Sequence, residues 1–316
     1  MNTFKQLILA ASLCIAPLAT TLADYPDQPL RIVVPTNAGG SVDNLARIFQ
    51  RKIEQMGDFP SVVVINQPGA GGTIGTRAIK DAPADGYTIG IWSPGIITSK
   101  AMGVVDYDHT AFTLLGGTGR TEIGMGILDE SPIKDADAFL EKARAEPGSI
   151  VVATNIGLPV HFIPMMFADE AEVEFKFVQI GGGAKRLASI LGGHTDTALF
   201  SVSEFKQYEE SGLRPLFLYA TERDDALPDT PTALELGVDM SISVFRVWLA
   251  PAGIGEAESA RLQSILQDVL KDEDVRQELA GLSIDADWIP ADTARDMLDD
   301  MNARTEPLID AARSAK

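Results

Sequence analysis

The chain has 316 residues, 26 Lys+Arg against 45 Asp+Glu, and a formal net charge of −19. That balance argues against nucleic acid and anionic membrane surfaces as partners, yet leaves room for a small anion, because surface fields are screened within about 8 Å at physiological salt. A single cysteine, Cys14, excludes a disulfide framework, and the length suits two domains.

Residues 1–23 read as a signal peptide. Lys5 supplies the positive start, and Leu7–Leu18 is apolar but shorter than the roughly 20 residues that span a bilayer. Thr21-Leu22-Ala23 offers a small-residue cleavage site, which predicts a periplasmic mature protein beginning at Asp24. The rival, a lipid anchor at Cys14, has a bulky Leu13 in its way.

Leu30–Val34 predicts a buried strand. A helix follows from about Ser41 to Met56, with Leu45, Ile48, Phe49, Ile53 and Met56 on one face and Gly57 to stop it. A strand at Val62–Ile65, a Gly-rich loop, a short helix near Thr73–Lys80, the Asp85-Gly86 turn and a strand at Tyr87–Trp92 complete a βαβαβ unit. That alternation predicts a largely parallel sheet with helices on both faces. A second block starts near Ser149, with strands Ile150–Ala153, Phe175–Val178, Thr195–Phe200 and Leu216–Ala220. Its helices lie near His161–Ala168, up to Leu191, and near Ser203–Ser211. The C-terminal part has one strand, Ser243–Ala250, then helices at about Glu256–Leu270, Asp274–Ala280 and Asp292–Ala312.

Two such blocks imply two lobes, and in open α/β sheets ligands sit at the carboxyl ends of strands. The loops there are rich in Gly, Ser, Thr and Asn and poor in charge, which suits a small polar ligand. The most informative one holds Thr36, Asn37, Ala38, Gly39, Gly40 and Ser41 between strand and helix. Such a turn either is merely tight or points free backbone N–H groups and the positive helix end at a carboxylate or phosphate. Asp43 reads as a capping residue; beside an anion it would need a water between them. Ser93, Thr154 and Asn155 lie on candidate loops, as do Gly181, Gly182 and Ser201. His161 stands at a loop–helix junction, where a ligand contact and a structural hydrogen bond are equally open. Arg246 interrupts the apolar strand Val244–Leu249. It either faces solvent or an acidic neighbour, or turns into the cleft and clamps a carboxylate.

The chemistry of turnover is missing. Gly69–Gly75 lacks the spacing of G-x-G-x-x-G, and no Lys follows a Gly-rich loop as in a P-loop. His109, His161 and His194 lack metal-ligand spacing, and G-x-S-x-G is absent. No catalytic residue, metal or cofactor is expected.

The segment Tyr25–Pro35 resembles the mature start of the substrate-binding proteins of tripartite tricarboxylate transporters, the Bug-type receptors. The likeness continues through Gly39-Gly40 with Asp43, Asn66–Gly72 with Ile74-Gly75, Asp85–Thr88, Gly182-Gly183, and Leu191-Gly192-Gly193 with Asp196. It runs on through Leu227-Pro228-Asp229 and Leu249–Gly253, in order along the chain. The resemblance implies an α/β periplasmic binding protein fold, type II-like, with two chain crossovers and a ligand cleft. It divides the chain into domain 1, residues 24–118 plus 223–316, and domain 2, residues 119–222. It implies a monomeric receptor, not an enzyme, that holds a small carboxylate or dicarboxylate and delivers it to the large and small permease subunits. On this likeness Asp196 joins the expected site. A ligand sensor for a membrane histidine kinase and an exported enzyme acting on an organic acid are the rivals. The chain departs from the family at Thr36, Asn37, Ala38, Ser41 and Val42, in the short loop Thr154–His161, and at Phe245-Arg246-Val247, all near the expected pocket.

Overall fold

The computed structural model describes residues 25–282 and 284–315; the expected leader lies outside the described residues. In chain order the strands are β1 (Leu30–Val34), β2 (Val62–Asn66), β3 (Thr88–Trp92), β4 (Phe112–Thr121), β5 (Ile123–Leu128), β6 (Ile150–Thr154), β7 (Phe175–Gln179), β8 (Thr197–Ser201), β9 (Leu213–Leu218), β10 (Val244–Pro251) and β11 (Trp288–Ile289). The helices are α1 (Ser41–Met56), α2 (Thr73–Lys80), α3 (Gly95–Ala101), α4 (Ala136–Ala145), α5 (Pro159–Glu170), α6 (Gly183–Leu191), α7 (Val202–Tyr208), α8 (Glu256–Val269), α9 (Glu273–Gly281), α10 (Ala291–Thr305) and α11 (Ile309–Ser314).

Two sheets form the two lobes, ordered β11-β4-β10-β3-β1-β2 and β7-β6-β8-β5-β9. In the first, β1 is parallel to β2 and β3, while β10 runs antiparallel between β3 and β4. In the second, β6 is parallel to β7 and β8, while β5 runs antiparallel between β8 and β9. Each sheet is thus a parallel βαβ core with a reversed strand inserted beside it, and the first sheet ends in a second, two-residue reversed strand, β11, the arrangement of a type II-like periplasmic binding fold. The expectation of a largely parallel sheet is corrected here: β10 enters the first sheet from the far end of the chain, and no local pattern announces its direction.

The chain crosses between lobes where β4 passes into β5 through Glu122, and again between β9 and β10. Tyr219 ties the crossings together. Its N–H donates to the Ile123 carbonyl at 2.8 Å, and its carbonyl accepts from Ile242 N–H at 2.7 Å. The apolar stripe of α1 is buried at Leu45, Ile48, Phe49 and Ile53, and shares its core with Trp248 of β10 and Leu266 of α8. Gly57 ends α1 in the left-handed region. The expected terminal helix is broken into α10 and α11 by a short 3-10 turn that contains Pro307, which lacks the N–H a continuous helix needs.

Candidate functional site

The site begins at the loop between β1 and α1. Gly40 caps α1 with extended backbone and no side-chain acceptor. The first helical N–H with a partner is that of Asn44, which donates to the Gly40 carbonyl at 2.9 Å. Among the described residues no acceptor reaches the N–H groups of Ser41, Val42 and Asp43. Such a helix start carries a partial positive charge and open donors.

Asp43 organises this loop from behind. Its carboxylate accepts from Gly39 N–H at 2.8 Å, Arg47 Nε at 2.9 Å and Asn66 Nδ2 at 2.8 Å, and the residue is 1% exposed. Burial alone would raise its pKa. The hydrogen bonds from Arg47, Gly39 and Asn66 outweigh that and hold the carboxyl below its ordinary range. Asn66 also donates to the Thr36 carbonyl at 3.2 Å, so the end of β2 fixes the loop too. Gly39 sits at φ +84, where a side chain would be strained.

A cavity of about 300 Å³ lies between the lobes. The first lobe contributes Ser41 of α1 together with Val244 and Arg246 of β10. Val244 and Arg246 share one face of the strand, whereas Phe245 turns to a second cavity of about 370 Å³. The register slips here because β4 carries one extra residue between Thr118 and Thr121, at left-handed Gly119, while β10 keeps its alternation. Arg246 makes no ion pair among the described residues, and its Nη1 is buried without a hydrogen-bond partner. Burial presses its pKa down, but a guanidinium keeps its proton in a protein. The cavity therefore holds an uncompensated cation.

The second lobe brings Arg186 of α6, with Ser201 from the end of β8 and Ser203 and Glu204 of α7. Ser201 and Glu204 form a reciprocal cap. Glu204 N–H donates to Ser201 Oγ at 3.2 Å, and Ser201 N–H donates to Glu204 Oε2 at 2.9 Å. Arg186 donates through Nη1 to the Gly181 carbonyl at 3.2 Å, lies 3.7 Å from Glu204 Oε1 through Nη2, and stacks over the Phe200 ring. Its Nε is buried without a partner. Apart from Thr121 the remaining walls are apolar and include Ile123, Val160, Ile163, Leu199 and Ile284.

Of the expected residues, Ser41, Ser201 and Arg246 meet in this cavity. Thr36 is half-buried beside it in sequence with an unpartnered Oγ1, and Asn37, Ala38, Gly39 and Gly40 are exposed on the same loop. Ser93 accepts from Gly95 N–H at the start of α3. Others are turned to structural work. The Thr154 hydroxyl donates to the Val160 carbonyl at 2.7 Å, and Asn155 pairs with Gln179. Gly181 accepts from Arg186, and Gly182 caps α6. His161 is 0% exposed, accepts from Gly157 N–H through Nδ1 at 3.3 Å, and stands edge-on to Phe177. Burial drives its pKa down to about 4. Asp196 is exposed just before β8 and accepts from Val151 N–H, at the amino end of the sheet and away from the cleft. Expectation missed Thr121, Arg186 and Glu204. Two signals were available: Ser201-x-x-Glu204 is a capping-box spacing, and Arg186 falls on the same helical stripe as Leu187 and Ile190.

Comparison with known proteins converges. A family model described as tripartite tricarboxylate transporter family receptor matches residues 45–313. Protein BugT of Bordetella pertussis is 28% identical over 241 residues, covering 72% of this chain and 72% of BugT. The structure of a TctC solute binding protein from Polaromonas superposes with a TM-score of 0.81 at 23% identity, over 91% of this chain and 99% of that one. A Rhodopseudomonas palustris protein solved with adipate superposes with a TM-score of 0.71 at 23% identity, over 92% and 98%.

Proposed function

The chain belongs to the tripartite tricarboxylate transporter receptor family, a family of binding proteins and not of enzymes, and from that membership we propose that it captures a small organic acid in the periplasm and delivers it to the two membrane subunits of its transporter. The observation that carries the proposal is Arg246. Its guanidinium lines the interlobe cavity with one nitrogen buried and unpartnered, near the open start of α1 at Ser41. A buried charge without a counter-charge is costly, and a carboxylate entering the cavity relieves that cost. The N–H groups of Ser41, Val42 and Asp43 then offer it further donors. The adipate in the R. palustris relative supports the ligand class.

In this reading the lobes are residues 24–118 with 223–316, and residues 119–222, and the protein works as a monomer after removal of residues 1–23. Asp43 acts by fixing the loop, not by touching the acid.

A thermal-shift panel of organic acids tests the proposal. A ligand at 100 times its dissociation constant adds about 2.7 kcal/mol of stability. At least one acid should raise the melting temperature of the wild type and fail to raise that of Arg246→Met. A folded wild type that responds to no acid, or a variant that responds equally, would refute it.

A further inference from the structure

The charges of the interlobe cavity set which organic acid fits. Its charged lining residues among the described ones are Arg246, Arg186 and Glu204. Arg186 is already engaged: it approaches the Glu204 carboxylate, holds the Gly181 carbonyl and stacks on Phe200. Glu204 is held in place as firmly, since both the N–H and the hydroxyl of Ser201 donate to its Oε2, at 2.9 and 3.1 Å. Its other oxygen lies against Gly183 at the start of α6, where an ideal Cβ on that glycine would overlap it. The second lobe thus carries its own carboxylate at the place where its helix start and its arginine would otherwise receive one from a ligand.

Resting on the receptor reading above, we infer that the cavity takes a monocarboxylate with an uncharged, largely apolar tail, and that Glu204 is the residue that rejects a second carboxylate. Arg246 neutralises the single charge at the first-lobe end. A ligand carboxylate at the other end would meet Glu204 at close range in a partly desolvated site, and like charges there oppose each other strongly. The walls between the two ends suit carbon: Ile123, Val160, Ile163, Leu199 and Ile284 line the cavity. The unpartnered Nε of Arg186 still offers one donor for a neutral oxygen on the tail. At about 300 Å³ the cavity is at the small end of ligand sites, which fits a compact acid.

Calorimetry with hexanoate and adipate, equal in carbon number and different by one carboxylate, decides the matter in the wild type and in Glu204→Gln. Glutamine keeps the capping-box spacing with Ser201, so the variant retains its helix start, and its melting curve checks that it folds. Hexanoate should bind the wild type at least tenfold more tightly than adipate. Glu204→Gln should shift that ratio toward adipate by at least tenfold. Tighter binding of adipate by the wild type, or an unchanged ratio in the variant, would overturn the inference and leave the receptor reading intact. A folded wild type that binds neither probe, nor any acid of the thermal-shift panel, would overturn both.

Discussion

Glu204 occupies the space that any side chain on Gly183 would need: an ideal Cβ on the first residue of α6 would overlap its Oε1. The glycine and the carboxylate define one another, because the helix start can be approached this closely only where no Cβ intervenes. Gly183→Ala should push Glu204 out of its cap with Ser201 and cost about 1–2 kcal/mol, the usual range for a lost cap or an overpacked methyl. Gly182→Ser, at an ordinary φ of −68 with open space around it and at the N-cap of α6 where Ser is a preferred residue, should not destabilise the fold. Denaturant melts of both variants check the contrast.

Asp43→Ala should destabilise the fold by about 2–3 kcal/mol and weaken acid binding. It leaves Gly39 N–H, Asn66 and Arg47 without their shared acceptor, and hydrogen bonds to a charged group are the stronger ones. Urea titration gives the stability and calorimetry the affinity. A loss below about 0.5 kcal/mol would show that the loop holds its shape without the carboxylate.

Glu122, the residue between β4 and β5, has its pKa raised to about 7. Burial is the main cause, with Arg120 opposing it and Asp224 and Asp285 adding to it. The folded state therefore holds a proton that the unfolded state releases above its ordinary carboxyl range. The group's contribution to stability is full below a pH of about 4.5 and is lost as pH rises through about 7. Glu122→Gln should match the wild type at low pH and exceed it above neutrality, by at most about 3 kcal/mol. A constant difference across that range would contradict the assignment.

His161 works in the opposite sense. Its pKa falls to about 4 because the ring is buried, so the unfolded state binds the proton first. Its contribution is present above the ordinary 6.5 and is lost as pH falls toward about 4. Because Nδ1 accepts from Gly157 N–H, the neutral ring carries its proton on Nε2. Ring nitrogen NMR should find that tautomer and no protonation above a pH of about 5; titration near 6.5 would refute the buried assignment.

Much of the fold was legible because local signals agreed with tertiary placement. The stripe Leu45, Ile48, Phe49, Ile53 and the stop at Gly57 gave α1 its observed bounds. β4 and β5 escaped because their glycines read against strand. Gly116 and Gly117 make room for Trp288 and Phe245, and Gly126 for Phe200, which are contacts set by partners distant in sequence. The loop before α1 was legible from its composition. Apart from Ser201 the second-lobe wall was not, because Thr154 and Asp196 spend their side chains on Val160 and Val151, and His161 is buried with its Nδ1 on Gly157. Arg246 was visible as an anomaly in its strand, but which face of β10 meets the cleft is set by its packing between β3 and β4.

The most direct test of the account is a crystal structure of the protein with its tightest-binding acid. The account predicts a carboxylate within hydrogen-bond distance of the Arg246 guanidinium and of the N–H groups at the start of α1. A carboxylate bound elsewhere, such as in the cavity lined by Arg120, Tyr219 and Phe245, with Arg246 still unpaired, would contradict it.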